Sequence, residues 1–176
     1  MLSNTFTIQF ILCCVVTPIT SYYDLRYRRI PNKLVAPLVL SGLALNYAFA
    51  GLAGLFASLQ GMLMGFGLML VLHLFGALGA GDVKLFAALG AVLGAPLVLP
   101  TFVIVVLTGG ILAIANMLYT NTARVTGERV LLIFGGLANG MGVPRFPLPA
   151  DRRHTLPYGV AISVGTLISL AWHHAR

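Results

Sequence analysis

The 176-residue sequence is 59% hydrophobic and 9% charged, with a mean hydropathy of +0.95. That balance lies far outside the range of a soluble globular domain and identifies an integral membrane protein. The formal net charge of +7 needs no nucleic-acid partner, because the distribution of the basic residues along the chain accounts for it.

Charged residues are absent from 34 to 81 and again from 85 to 123. A membrane-crossing helix needs roughly 20 mostly apolar residues, so each gap holds two helices joined by a tight hairpin. In chain order the first span covers about 5–23 and stops at Asp24. The second covers 34–50 and turns at Gly51 to Gly54. The third covers 55–77 and ends in a glycine-rich stretch. A fourth, 83–98, is closed by Gly94, Pro96 and Pro100, residues that break or turn helices. The fifth covers 101–119 and the sixth 156–172. The expected fold is therefore all-α, a polytopic membrane bundle of about six transmembrane helices forming a single domain over 1–176.

Six spans place the loops after spans one, three and five on one side. Those loops hold Arg26, Arg28, Arg29, Lys33, Lys84, Arg124, Arg129, Arg145, Arg152 and Arg153, ten of the eleven basic residues. The positive-inside rule makes that side cytoplasmic, so both termini are expected outside, with Arg176. Most of these residues fix orientation and meet anionic lipid. Residues 120–155 form a long cytoplasmic stretch, in which "VLLIFGGLANGMGV" is apolar but short for a span. It is expected to be an interfacial or re-entrant helix. The opening "MLSNTFTIQF" has neither a basic n-region nor a small-residue cleavage site after it, so the first span is expected to be retained.

Cys13 and Cys14 are adjacent and mid-span, which suits packing better than a disulfide or a metal. His73, within the third span, is expected to be a hydrogen-bonded packing residue. His154, His173 and His174 have no ligand spacing to any carboxylate, and no metal site is expected. Glu128 is expected to pair with Arg124, its i,i+4 neighbour if that stretch is helical.

The sequence has only four acidic residues, which makes two of them informative. Asp24 ends the first span and Asp82, within "GAGDVKLF", opens the fourth at the same membrane level, so the two carboxylates can face each other. Ionisable groups at the margin of a membrane bundle usually face its interior or a water-filled cavity. Two carboxylates sharing such a site cannot both ionise easily, and the pair divides into an acid and a base. That is the chemistry of an aspartic protease: one Asp takes a proton from water while the other polarises the scissile carbonyl. Singly, each residue is as well described as a helix cap or dipole partner, and Asp24 could simply pair with Arg26 or Arg28. Composition predicts roughly 0.04 Gly-x-Gly-Asp occurrences in such a chain, so the motif as a whole asks for more. Its glycines, Gly79 and Gly81, could serve helix packing or admit an extended substrate backbone to Asp82.

"GAGDVKLFAALGAVLG" (79–94) resembles the GxGD motif of type IV prepilin peptidases, membrane aspartic proteases that remove the leader of pilin precursors. "YDLRYRRIPN" (23–32) resembles the family's other aspartate motif, and "LPYGVAIS" (156–163) its Pro-Tyr-Gly signature. The three motifs stand in family order and span most of the chain. The resemblance implies that Asp24 and Asp82 are the catalytic pair, with base and acid unassigned between them. It implies that Arg28, Arg29, Pro31, Asn32, Gly79, Gly81, Lys84, Pro157, Tyr158 and Gly159 bind substrate or shape the site. It further implies a multi-pass protein of the bacterial inner membrane that cuts prepilins and pseudopilins at the cytoplasmic face.

The sequence has no Cys-x-x-Cys and begins close to the Asp24 span, unlike the long bifunctional members that also N-methylate the new pilin terminus. It is similar to the short TadV- and CpaA-like peptidases of Flp/Tad pilus systems, which implies no metal and no cofactor. Four alternatives stand beside this reading. They are a bifunctional peptidase/N-methyltransferase, a transporter with both carboxylates in a polar path, a non-catalytic membrane subunit, and a presenilin-like protease. The Ile-Pro-Asn and Pro-Tyr-Gly stretches favour the pilin enzyme over the last.

Overall fold

A computed structural model describes residues 2–76, 78–119 and 158–174. All regular structure among them is helical. The chain divides into two compact units, Met1–Gly109 with Pro157–Arg176, and Gly110–Leu156. Among the described residues, three helices are long and apolar enough to cross a membrane, and large apolar side chains such as Leu40, Leu52, Leu63 and Leu107 are exposed. Outward-facing apolar surface of that kind is what lipid solvates. The expected re-entrant helix, Arg124, Glu128, His154 and Pro157 lie outside the described residues.

Helix α1, Leu2–Tyr27, is about 39 Å long at 1.5 Å per residue. It runs past the expected end of the first span, so Asp24 lies inside the helix, one turn from its end. Termination comes at Arg28, whose φ of 52° is left-handed and whose N–H donates to the Asp24 carbonyl at 2.9 Å. That 5→1 bond is an αL cap, normally a task for glycine.

Helix α2, Asn32–Leu74, is interrupted at Gly51, where φ is 57° and ψ is −141°. The expected turn at Gly51 to Gly54 is thus confined to one residue, in a conformation that only glycine adopts cheaply. A side chain on Gly54 would run into the Asn46 carbonyl, so the two legs of α2 press together beside the break. The second leg ends at Leu74 rather than 77, because Gly76 takes a φ of 76° and returns its N–H to the His73 carbonyl.

Both legs pack on helix α3, Ala80–Leu93. A Cβ on Gly42 would lie 2.7 Å from the Ala91 carbonyl carbon, and one on Gly65 would lie 3.0 Å from the Phe86 carbonyl oxygen. These glycines let backbones approach as closely as small residues do at membrane helix interfaces. Helix α3 is the core of the unit, with Leu85, Phe86, Leu89 and Val92 fully enclosed, as its nearly unbroken apolar run requires.

The expected fourth span, 83–98, is corrected by the structure. Helix α3 stops at Gly94, with φ 73°, and at 14 residues it is about 21 Å long, short of a hydrocarbon core of roughly 30 Å. Pro96 and Pro100 do not break the chain. Both lie in helix α4, Ala95–Tyr119, and Pro96 falls in the first turn, where a missing N–H costs nothing.

A helix ending among apolar neighbours leaves carbonyls without partners, and three side chains meet those of α3. Gln9 Nε2 donates to the Val92 oxygen at 2.8 Å, Asn46 Nδ2 to the Ala91 and Val92 oxygens at 3.0 and 3.1 Å, and Ser58 Oγ to the Ala91 oxygen at 2.5 Å. Gln9 also donates to Asn46 Oδ1 at 3.1 Å.

Helix α5, Tyr158–His174, packs along α1 through a buried hydroxyl seam. Ser163 Oγ lies 3.0 Å from the Thr17 carbonyl and 3.4 Å from Thr20 Oγ1. It meets α4 where Thr101 and Ser169 bond at 2.8 Å. Cys13 is buried and Cys14 partly buried, both as free thiols, as packing residues would be.

Candidate active site

Each of the two carboxylates meets the start of a helix. Asp82 occupies the third position of α3, and its Oδ2 accepts the Gly79 N–H at 3.0 Å. This is the backbone half of a capping box, with glycine supplying no side chain for the other half. Asp24 crosses from the end of α1 to the start of α5, where its Oδ2 accepts the Gly159 N–H at 2.7 Å. The cap-like description of the carboxylates is therefore correct as far as it goes, and the N-terminal dipoles favour negative charge at both.

Electrostatics separates these carboxylates from ordinary caps. Both are buried, at 7% and 8% relative exposure for Asp24 and Asp82. Burial pushes the Asp82 carboxyl up to about 6, and the negative charge of Asp24 pushes in the same direction. The Gly79 amide and His73 oppose them without prevailing. The two carboxylates are thus close enough for the charge of Asp24 to hinder ionisation of Asp82. Arg28, just past the end of α1, bears electrostatically on Asp24.

Three distant stretches of sequence converge here. Gly159 lies so close to Asp24 that a Cβ on it would be 2.8 Å from Oδ2 and 2.9 Å from the Asp24 Cβ. Tyr158 is within electrostatic reach of Asp82, and its hydroxyl fills the notch that Gly109 leaves on α4. Gly81 lies over Ile30, which joins the α1–α2 connection to the start of α3, although the 3.5 Å that a Cβ would keep from Ile30 is ordinary contact. Gly79 is exposed, and the nearest side-chain atom to a Cβ there would be Asp82 Oδ2.

The flanking residues are more loosely placed. Pro31 is the N-cap residue of α2, with extended backbone angles. Lys84 Nζ reaches Asn32 Oδ1 only at 3.5 Å, and both residues are exposed. Arg29, Ile30, Pro31 and Asn32, together with Tyr23 and Tyr27, line an open cleft of about 360 Å³ beside the end of α1. Among the described residues, no group of three or more His, Cys, Asp or Glu is placed to hold a metal ion.

Sequence reasoning missed His73 as a neighbour of this site. It closes the last turn of α2, and its Nδ1 lies 2.7 Å from the Leu78 carbonyl oxygen, beside the loop that carries Gly79. The expected hydrogen bond is there. Its location was not legible, because it depends on the backward turn at Gly76.

A family model described as the type IV leader peptidase family matches residues 10–114. The match runs through Asp24 and Asp82 and stops short of α5. No curated protein and no solved structure gives a significant match to this sequence.

Proposed function

The chain belongs to the type IV leader peptidase family, and on that premise we propose that Asp24 and Asp82 form the catalytic dyad of an aspartic endopeptidase. The observation that carries this reading is the burial of both carboxylates in one place, with the charge of Asp24 helping to hold Asp82 protonated up to about 6. Type IV prepilins are the substrate class that family membership implies.

The chemistry needs one proton shared between two oxygens of different residues. The ionised carboxylate accepts a proton from water as the water oxygen attacks the scissile carbonyl carbon. The protonated carboxyl meanwhile donates to the carbonyl oxygen. Collapse of the tetrahedral intermediate breaks the C–N bond, and the leaving amine takes a proton from the dyad. Gly159 and Gly79 support the geometry by fixing one oxygen of each Asp with a backbone N–H. The exposed edge at Gly79 is where an extended substrate backbone would approach.

The finer assignments rest on sequence. The two legs of α2 are read as separate crossings and the short α3, enclosed by its neighbouring helices, as the fourth, so six spans carry the chain through the inner membrane with both termini outside. The dyad then lies at the cytoplasmic face, where a prepilin leader ends and its apolar helix begins. Arg28, Arg29, Pro31, Asn32, Lys84, Pro157, Tyr158 and Gly81 are assigned to shaping that site. The wording of the motifs supports Flp/Tad-class precursors and pseudopilins as substrates.

Co-expression of an Flp-type prepilin with the protein, read by mass, tests the proposal. Wild type should release the mature pilin. Asp24→Asn and Asp82→Asn should each leave it at full precursor length while still accumulating in the membrane. Cleavage by either variant at the wild-type rate overturns the dyad, and a methyl group on the product would reveal a second activity.

A further inference from the structure

The peptide group between Leu78 and Gly79 is held at both ends. Its oxygen lies 2.7 Å from His73 Nδ1, and its N–H donates to Asp82 Oδ2 at 3.0 Å. Because the peptide unit is planar, its C=O and N–H turn together, so any rotation that releases one contact releases the other. A carbonyl only accepts, which means that Nδ1 of His73 carries a proton. Donation into the carbonyl also polarises the amide and strengthens its N–H as a donor to the carboxylate.

The chain around this peptide is rich in glycine. Gly76 at φ 76° turns the chain back under the end of α2, and Gly79 contributes no side chain of its own. Leu78 is buried, which leaves its carbonyl in need of an internal partner. We infer that His73 is a positioning residue for Asp82, acting through the Leu78–Gly79 peptide to set the direction of the amide that orients the carboxylate. The inference rests on the proposed dyad.

Electrostatics agrees with the geometry. Among the described residues, the groups that bear on Asp82 include Asp24 from α1, the Gly79 amide, His73 from α2 and, across from α5, Tyr158. Among them His73 is the side chain that favours the ionised form of Asp82. Removal of the imidazole therefore both frees the peptide and makes Asp82 harder to ionise.

Three variants separate positioning from bulk. His73→Asn keeps an amide donor near the position of Nδ1, His73→Gln moves the donor outward, and His73→Ala removes it. In detergent, with a prepilin substrate, His73→Ala should lower kcat by about 10- to 100-fold, the scale of a small misplacement of a reacting group, and leave KM within about twofold. His73→Asn should recover most of that loss and His73→Gln little of it.

Hydrogen exchange supplies a readout that needs no cleavage. The Gly79 amide should exchange about tenfold faster in His73→Ala than in wild type and return toward the wild-type rate in His73→Asn. Unchanged exchange at Gly79 in His73→Ala, or kcat retained within twofold, overturns the inference. If wild type itself cleaves no prepilin, the peptidase reading falls, and the exchange rates still decide whether His73 holds the peptide.

Discussion

The Gly159 amide donates to Asp24 Oδ2 at 2.7 Å, and a methyl group on that glycine would stand 2.8 Å from the same oxygen. One residue thus both binds the carboxylate and makes room for it. Gly159→Ala is expected to push Asp24 aside, because the nearest atoms, including the Asp24 Cβ at 2.9 Å, belong to a short side chain rooted in α1. The predicted result is a loss of prepilin cleavage of about 10- to 100-fold at near-normal membrane accumulation, measured by mass on the co-expressed substrate. Cleavage at the wild-type rate would show that Asp24 need not sit where it does.

The dyad also predicts a pH profile. Burial and the Asp24 charge push Asp82 up to about 6, so the pair retains a proton below that pH and loses it above. An acid that has lost its proton cannot polarise the carbonyl, so kcat/KM of the free enzyme should fall on the alkaline side, approaching tenfold per pH unit beyond an apparent value near 6. The linkage has a matching sign. The native state holds the Asp82 proton more tightly than the unfolded chain, so the stability contributed by this group is full below about 3.8 and is lost as pH rises to about 6. A flat kcat/KM between pH 6 and 9 would contradict a single-proton dyad.

Much of the site was legible because charge is so rare in this chain. Asp24 and Asp82 stood out against an apolar background, and the structure buries both, with the charge of Asp24 acting on Asp82. Gly159 was reached only through its motif, since nothing local in "LPYGVAIS" tells that its amide meets a carboxylate 135 residues away. The ends of helices were harder. Pro96 and Pro100 read as breakers, yet both are carried within α4, and the break falls on Gly94 alone. The polar contacts of Gln9, Asn46 and Ser58 were invisible for the same reason: they answer a helix end whose place periodicity does not reveal.

Arg28 offers a test of the backbone beside the site. Its φ of 52° puts a long side chain in a region that costs an L-residue roughly 1–2 kcal/mol. Glycine would relieve that cost and alanine would not, while both remove the charge that bears on Asp24. Arg28→Gly should therefore be the more stable variant, by about 1 kcal/mol, when the two are compared by thermal unfolding in detergent. Equal stability would show that the end of α1 does not require the left-handed residue.

The caps on α3 predict where stability resides. Asn46 and Gln9 both donate to the Val92 oxygen, and Asn46 and Ser58 both donate to that of Ala91, so two carbonyls at a buried helix end are shared by three donors. Asn46→Leu removes a donor from each carbonyl and strands Gln9 Nε2 without its Asn46 acceptor. It should cost about 1–3 kcal/mol for the unsatisfied groups. Gln9→Leu should cost less, since Asn46 still reaches Val92. Because the Val92 oxygen keeps one of these two donors in either single variant and loses both in the double, the double variant should exceed the sum of the two single losses by about 0.5 kcal/mol or more. Denaturation in mixed micelles, followed by far-UV circular dichroism, measures all three, and strictly additive losses would show that the donors act independently.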